Sequence, residues 1–155
     1  MEINIVCTGY LKENYFKDAV KEYQKRISGF CQINVVEVKD IDYGDSEGNI
    51  LKAKKVEAES LAKHKKGYCI ALEVGGKSFT SEEFASKIKS IFDMQSSTIS
   101  FFIGGSNGLD KSFSDSMDMK LSFSSFTYPH QLMRVILLEQ VYRALTIINH
   151  KKYHK

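Results

Sequence analysis

The chain has 155 residues, 43% of them hydrophobic and 26% charged, with a formal net charge of +3, ten glycines and one proline. That length suits one domain, residues 1–155, burying about two-thirds of its unfolded surface, and the balance excludes disordered and collagen-like classes. A net charge of +3 marks neither a nucleic-acid binder nor a membrane-surface protein by itself.

Cys7, Cys31 and Cys69 are dispersed and include no C-x-x-C pair. An odd set of this spacing makes a poor disulfide framework and no metal motif, which implies reduced thiols and a cytoplasmic location. No apolar run approaches the roughly 18 residues of a membrane span, and the first residues read as a strand with no signal-peptide pattern.

In chain order, Ile3 to Cys7 reads as a first strand ended by Gly9. Phe16, Val20, Tyr23 and Ile27 recur at helical spacing and predict a helix that stops near Gly29. Ile33 to Val38 is a second strand, and the polar stretch Asp40 to Asn49 is expected to be a mobile loop. Lys52 to His64 is a helix with Val56, Leu61 and Ala62 as its apolar share. Tyr68 to Val74 is a third strand turning at Gly75-Gly76. Thr80-Ser81-Glu82-Glu83 spells a capping box, in which Thr80 bonds the amide of Glu83 and Glu83 reaches back. The helix it opens carries Phe84, Ile88, Ile91 and Phe92. Ile99 to Ile103 and Lys120 to Phe123 are the fourth and fifth strands. Pro129 then opens a helix at its first helical position and the helix runs to about His150. Alternating strands and helices predict an α/β fold, a mostly parallel sheet with helices on both faces.

On that last helix Met133, Leu137, Val141, Ala144, Leu145 and Ile148 share one face, opposite a stripe of Glu139, Arg143, Thr146 and His150. Leu132 and Ile136 widen the apolar surface. The helix is either buried within its own chain or packed against its core on one side and a second subunit on the other. Arg134 falls near the apolar face: its stem snorkels to water, or its guanidinium points at a pocket or a phosphate. Glu139 and Arg143 are spaced for an ion pair.

The run Gly104-Gly105-Ser106-Asn107-Gly108 reads as a tight turn or as a backbone cradle for an anion; it matches neither the P-loop nor the dinucleotide fingerprint. With Leu121 to Tyr128 it is placed to line one pocket for a polar cofactor. His64 reads as solvated and His130 as a capping or packing residue, and no histidine pair has zinc spacing, so no metal is expected. The tail His150-Lys151-Lys152-Tyr153-His154-Lys155 reads as a frayed end, or as cations for phosphates beside an aromatic ring for a base.

The combination of I-G-G-S-N-G, L-S-F-x-x-x-T-x-P-H-Q-x-x-R-V, E-Q-x-Y-R-A and a terminal Y-H-K resembles the RlmH family, with further matches at Gly9-Tyr10-Leu11-Lys12 and around Glu22 to Arg26. These are SPOUT-superfamily methyltransferases that act on a pseudouridine of large-subunit ribosomal RNA. The resemblance implies a C-terminal trefoil knot, which no pattern argument would produce. It also implies a homodimer, S-adenosylmethionine as methyl donor, and assembled ribosomes as substrate. Carried over motif by motif, Leu72, Gly104, Phe123, Ser124, Ser125, Phe126, Thr127 and Tyr128 hold the cofactor. Tyr153, His154 and Arg143 then serve catalysis, the tail reaching the partner subunit's site, with His154 or Tyr153 assisting proton removal or nearby cations stabilising the deprotonated ring. The alternatives are a non-catalytic ribosome- or RNA-binding dimer and a nucleotide hydrolase; the latter lacks a phosphate-reaching lysine beside the glycine turn.

Overall fold

The computed structural model describes residues 1–155 as strands alternating with helices. They are β1 (Glu2–Thr8), α1 (Asn14–Ile27), β2 (Gln32–Val38), α2 (Glu47–Ala62), β3 (Tyr68–Lys77), α3 (Ser81–Met94), β4 (Thr98–Ile103), α4 (Lys111–Asp115), β5 (Met119–Leu121) and α5 (His130–Ile148). All strand pairs are parallel, in the order β2-β1-β4-β3-β5. A parallel sheet needs cover on both faces, and alternation along the strands shows how it is supplied. Ile3, Ile5, Ile99 and Phe101 share a core with Val20 and Ile27 of α1, Ile88 and Ile91 of α3, and Leu137 and Val141 of α5. Val6, Ala71 and Phe102 face the other way, onto Leu61 of α2 and Phe113 of α4. Each fully buried aliphatic or aromatic side chain contributes about 1.5–3 kcal/mol.

Helix α5 packs on both α1 and α3 as well as on the sheet. That accounts for its near-uniform apolarity, since a helix with three neighbours needs more than one apolar stripe. Leu132 and Ile136 are only half-buried in the chain. Thr146, expected on the polar stripe, is buried, its hydroxyl donating to the Arg143 carbonyl one turn back.

Element boundaries differ from expectation for local reasons. Helix α2 starts at Glu47, capped by Ser46 through the Asn49 amide, so the polar stretch closes before 49; Gly48 and Asn49, poor helix formers, sit in the first turn and disguise it. Its buried face is Ala53, Glu57 and Leu61; of the expected apolar share Leu61 is buried, whereas Val56 is half-buried and Ala62 exposed. The Glu57 carboxylate accepts the amide of Ile41, tying down the loop expected to be mobile. The short helix α4 went unanticipated although Asp110 caps it by accepting the Phe113 amide. Pro129 is the cap of α5 and not its first helical residue, its carbonyl accepting from Met133.

Strand β3 does not turn away at Gly75-Gly76. Leu121 pairs with Leu72 and again with Lys77, and the Ser122 amide donates to the Lys77 carbonyl, so residues 73–76 bow around β5. A Cβ on Gly76 would lie 2.7 Å from the Leu121 backbone, so only glycine permits this passage.

Candidate active site

The carboxyl ends of β3, β4 and β5 enclose an open cleft with about 720 Å³ of free space, the position at which open α/β sheets bind ligands. Leu72 and Val74 come from the end of β3, Ile103 and Gly104 from the end of β4, Phe123, Ser124, Phe126, Thr127 and Tyr128 from the segment after β5, and Met133 from α5. Of the eight residues expected to hold a cofactor, seven therefore meet here. Ser125 does not; it is exposed and lines no part of the cleft.

The glycine run is a tight turn and a cleft wall at once. The Gly108 amide donates to the Gly105 carbonyl at 3.0 Å, with Gly108 in the left-handed region at φ +75. A Cβ on Gly104 would fall 2.4 Å from the Gly108 carbonyl carbon, so the turn closes only on glycine.

Residues 123–128 present a different resource. Within this segment the Ser122 hydroxyl donates to the Ser124 carbonyl, and the Ser124 hydroxyl accepts the Phe126 amide. The amides of Phe123, Ser124, Ser125, Thr127 and Tyr128 have no protein acceptor. Backbone groups of this kind require a partner from water or ligand. A strip of open backbone facing Leu72, Ile103 and Leu121 fits a ligand with one polar edge and one apolar ring, as S-adenosylmethionine has. No group of three or more His, Cys, Asp or Glu side chains is arranged to hold a metal ion.

Arg143, Tyr153 and His154 do not line this cleft; they meet each other elsewhere. His150, in the left-handed region at φ 53, ends α5, and the Lys151 amide donates back to the Thr146 carbonyl, turning the tail onto the helix. Tyr153 stacks edge-on against Tyr142 at 4.8 Å and donates its hydroxyl to Glu139 at 3.2 Å. Glu139 also accepts from Arg143 at 2.5 Å, the ion pair expected from spacing. Burial, with the Glu139 carboxylate beside it, pushes the Tyr153 phenol up to about 12. His154 bridges two elements: Nε2 lies 2.7 Å from Glu82 at the start of α3, and Nδ1 lies 3.3 Å from the Arg143 guanidinium. A guanidinium only donates, so Nδ1 accepts and Nε2 donates to Glu82.

Two residues were not recognised for what they are. Arg134 neither snorkels nor reaches the cleft. It is fully buried, donating to Glu37 at 2.6 Å and to the carbonyls of Thr8 and Gly9, and so ties α5 to the ends of β1 and β2. His130 lines the cleft, and lines a second, polar cleft as well, formed by Asp40, Asp42, Tyr43, Lys54 and Glu57. The two clefts share Gly105, Ser106 and His130. Burial, and next the Arg134 charge, hold the His130 imidazole below its ordinary value. Its position directly after the only proline was the available signal.

A family model described as "Predicted SPOUT methyltransferase" matches residues 1–154 of the chain that forms this sheet and cleft. The chain belongs to the SPOUT methyltransferase family, and is an enzyme of that class. Among similar proteins are two named ribosomal RNA large subunit methyltransferase H, from Fusobacterium nucleatum at 42% identity and Finegoldia magna at 47%, each aligned over all of both chains. A solved structure titled as a probable methylase family protein from Haemophilus influenzae superposes with a TM-score of 0.55 at 14% identity. It covers 99% of this chain and 70% of its own, a likeness of fold alone.

Proposed function

We propose that this protein transfers a methyl group from S-adenosylmethionine to the N-3 nitrogen of a pseudouridine in large-subunit ribosomal RNA, working on assembled ribosomes as a cytoplasmic homodimer. Residues 1–155 form one SPOUT domain in this reading, and the bow of residues 73–76 around Leu121 belongs to its trefoil crossing. The observation that carries the reading is the strip of unpartnered backbone at 123–128 across from Gly104, in a chain of this family.

S-adenosylmethionine, when bound, supplies a methyl group already activated by the sulfonium. The chain's own work is to bind and orient. The free amides of Phe123, Ser124, Thr127 and Tyr128 receive the ligand's polar edge, Gly104 lets backbone approach it, and Leu72 and Ile103 wall its ring. Holding donor and acceptor in line accounts for much of the rate. Tyr153, His154 and Arg143 lie outside the cleft of their own chain, which supports a tail that serves the partner's cleft. There the guanidinium and the phenol hydroxyl stabilise negative charge on the acceptor ring as its proton leaves.

The test uses radiolabelled S-adenosylmethionine and intact ribosomes from a strain lacking the modification. Label at a large-subunit pseudouridine is the expected result, and no transfer by protein that binds the cofactor would remove this substrate. Thermal melting adds a check: S-adenosylmethionine and S-adenosylhomocysteine raise Tm and ATP does not, because only a ligand bound by the folded state stabilises it.

A further inference from the structure

Methylation of a ring N–H needs a group that takes the proton, and the following inference rests on the reaction proposed above. The tail offers no free base. Tyr153 gives its hydroxyl proton to Glu139, and both ring nitrogens of His154 are engaged, by Arg143 and by Glu82. His64 sits with Lys63, Lys65 and Lys66 at a separate site, and His150 is exposed beyond α5. His130 differs from all of these. Neither of its ring nitrogens bonds any protein group, and the ring stands where the two clefts meet. Its Nε2 packs against the β1 end, 3.4 Å from where a Cβ on Gly9 would be. It also opens α5, a helix N-terminus, where extra positive charge is disfavoured.

We propose that His130 accepts the proton from the ring nitrogen of the methyl acceptor, and that the acceptor base enters through the polar cleft beyond Gly105 and Ser106. In the step, the ring nitrogen's electron pair forms the bond to the methyl carbon while the carbon–sulfur bond breaks with its pair going to sulfur. The N–H proton passes to the imidazole, which becomes imidazolium and later releases it to water.

The surroundings suit both states of the ring. Burial, Arg134 and Lys12 disfavour the proton at rest, while Asp40 acts in the opposite sense. Asp42, Asp45 and Glu57 line the same polar cleft with Lys54, so carboxylates outnumber cations around the imidazolium once formed. Those carboxylates accept N–H donors from a base edge and keep phosphates out. A base flipped from its stack meets both conditions.

The experiment compares wild type with His130→Gln, His130→Asn and His154→Gln on intact ribosomes, with S-adenosylhomocysteine affinity measured by calorimetry and the His130 ring titrated by NMR in ligand-free protein. The His130 variants are expected to lose about 10²–10³-fold in kcat with affinity for S-adenosylhomocysteine kept within about threefold. Wild-type kcat/KM should rise from the acid side through a midpoint below the ordinary imidazole value of 6.5, matching the NMR midpoint of the free protein. That limb should vanish in His130→Gln and persist in His154→Gln. An active His130→Gln that keeps the limb overturns the proposal, as does a wild-type limb whose midpoint does not follow the His130 ring. A loss of kcat that merely follows lost S-adenosylhomocysteine affinity overturns it too. Wild type that binds the cofactor product but leaves ribosomes unmethylated overturns the substrate reading and this proposal with it, whereas an active wild type beside an equally active His130→Gln overturns the proton acceptor alone.

Discussion

Arg134 places a full charge where no water reaches, and its neighbours define what its loss would do. It satisfies Glu37 and two carbonyls at the end of β1, and its own Nε has no partner. Replacing it with Met would leave the Thr8 and Gly9 carbonyls without this donor and Glu37, which is 28% exposed, with the Leu11 amide and water, a loss of about 1–3 kcal/mol for buried polar groups left unpaired. Urea denaturation of Arg134→Met should show that loss; a change under about 1 kcal/mol would mean the clamp is energetically idle. The helix wheel put Arg134 on the apolar side but could not choose its partner, because Glu37 lies 97 residues away in sequence. His130 escaped for a related reason. Its meaning comes from the two clefts that meet at it, and neither is a local property of the chain.

Elements were legible where their signals are local. The Thr80 hydroxyl accepts the Glu83 amide at 3.2 Å, and the Glu83 carboxylate accepts the Thr80 amide at 2.8 Å, as the four-residue pattern implied. Thr80→Ala should cost about 1 kcal/mol, read as a fall in Tm of about 2–4 °C. A Tm within about half a degree of wild type would show that solvent replaces the cap fully. Strands other than β3, which runs on through its glycines to Lys77, were read to within a residue or two because short apolar, β-branched runs carry their own boundaries. Helix α4 spans only 5 residues, too short for periodicity to register. The tail read as frayed because its anchors, Glu139, Tyr142 and Glu82, lie up to 72 residues away.

At the scale of the whole molecule, the class of sheet followed from alternation, while its order β2-β1-β4-β3-β5 and the bulge by which β3 meets Leu121 twice depend on long-range packing. Of the candidate site, the cleft loops were legible from glycine and polar turns joined to the family pattern, but which chain each tail serves was not. Co-expressing a chain truncated after His150 with a full-length Val74→Trp chain, which blocks the cleft wall from an exposed position, separates the two arrangements. If the tail serves the partner's cleft, half the dimers carry one competent site and ribosome methylation recovers to about a quarter of wild type. If each tail serves its own cleft, no dimer is active. The seat of α5 between α1 and α3 has a consequence for biosynthesis. At about 5–20 residues per second, roughly three to ten seconds separate the synthesis of Gly104 from that of Lys155. During that interval Ile5, Ile99 and Phe101 have no helix α5 to cover them. The nascent chain therefore exposes this apolar face of the sheet until its last helix arrives, and completes its cleft only when it is almost finished.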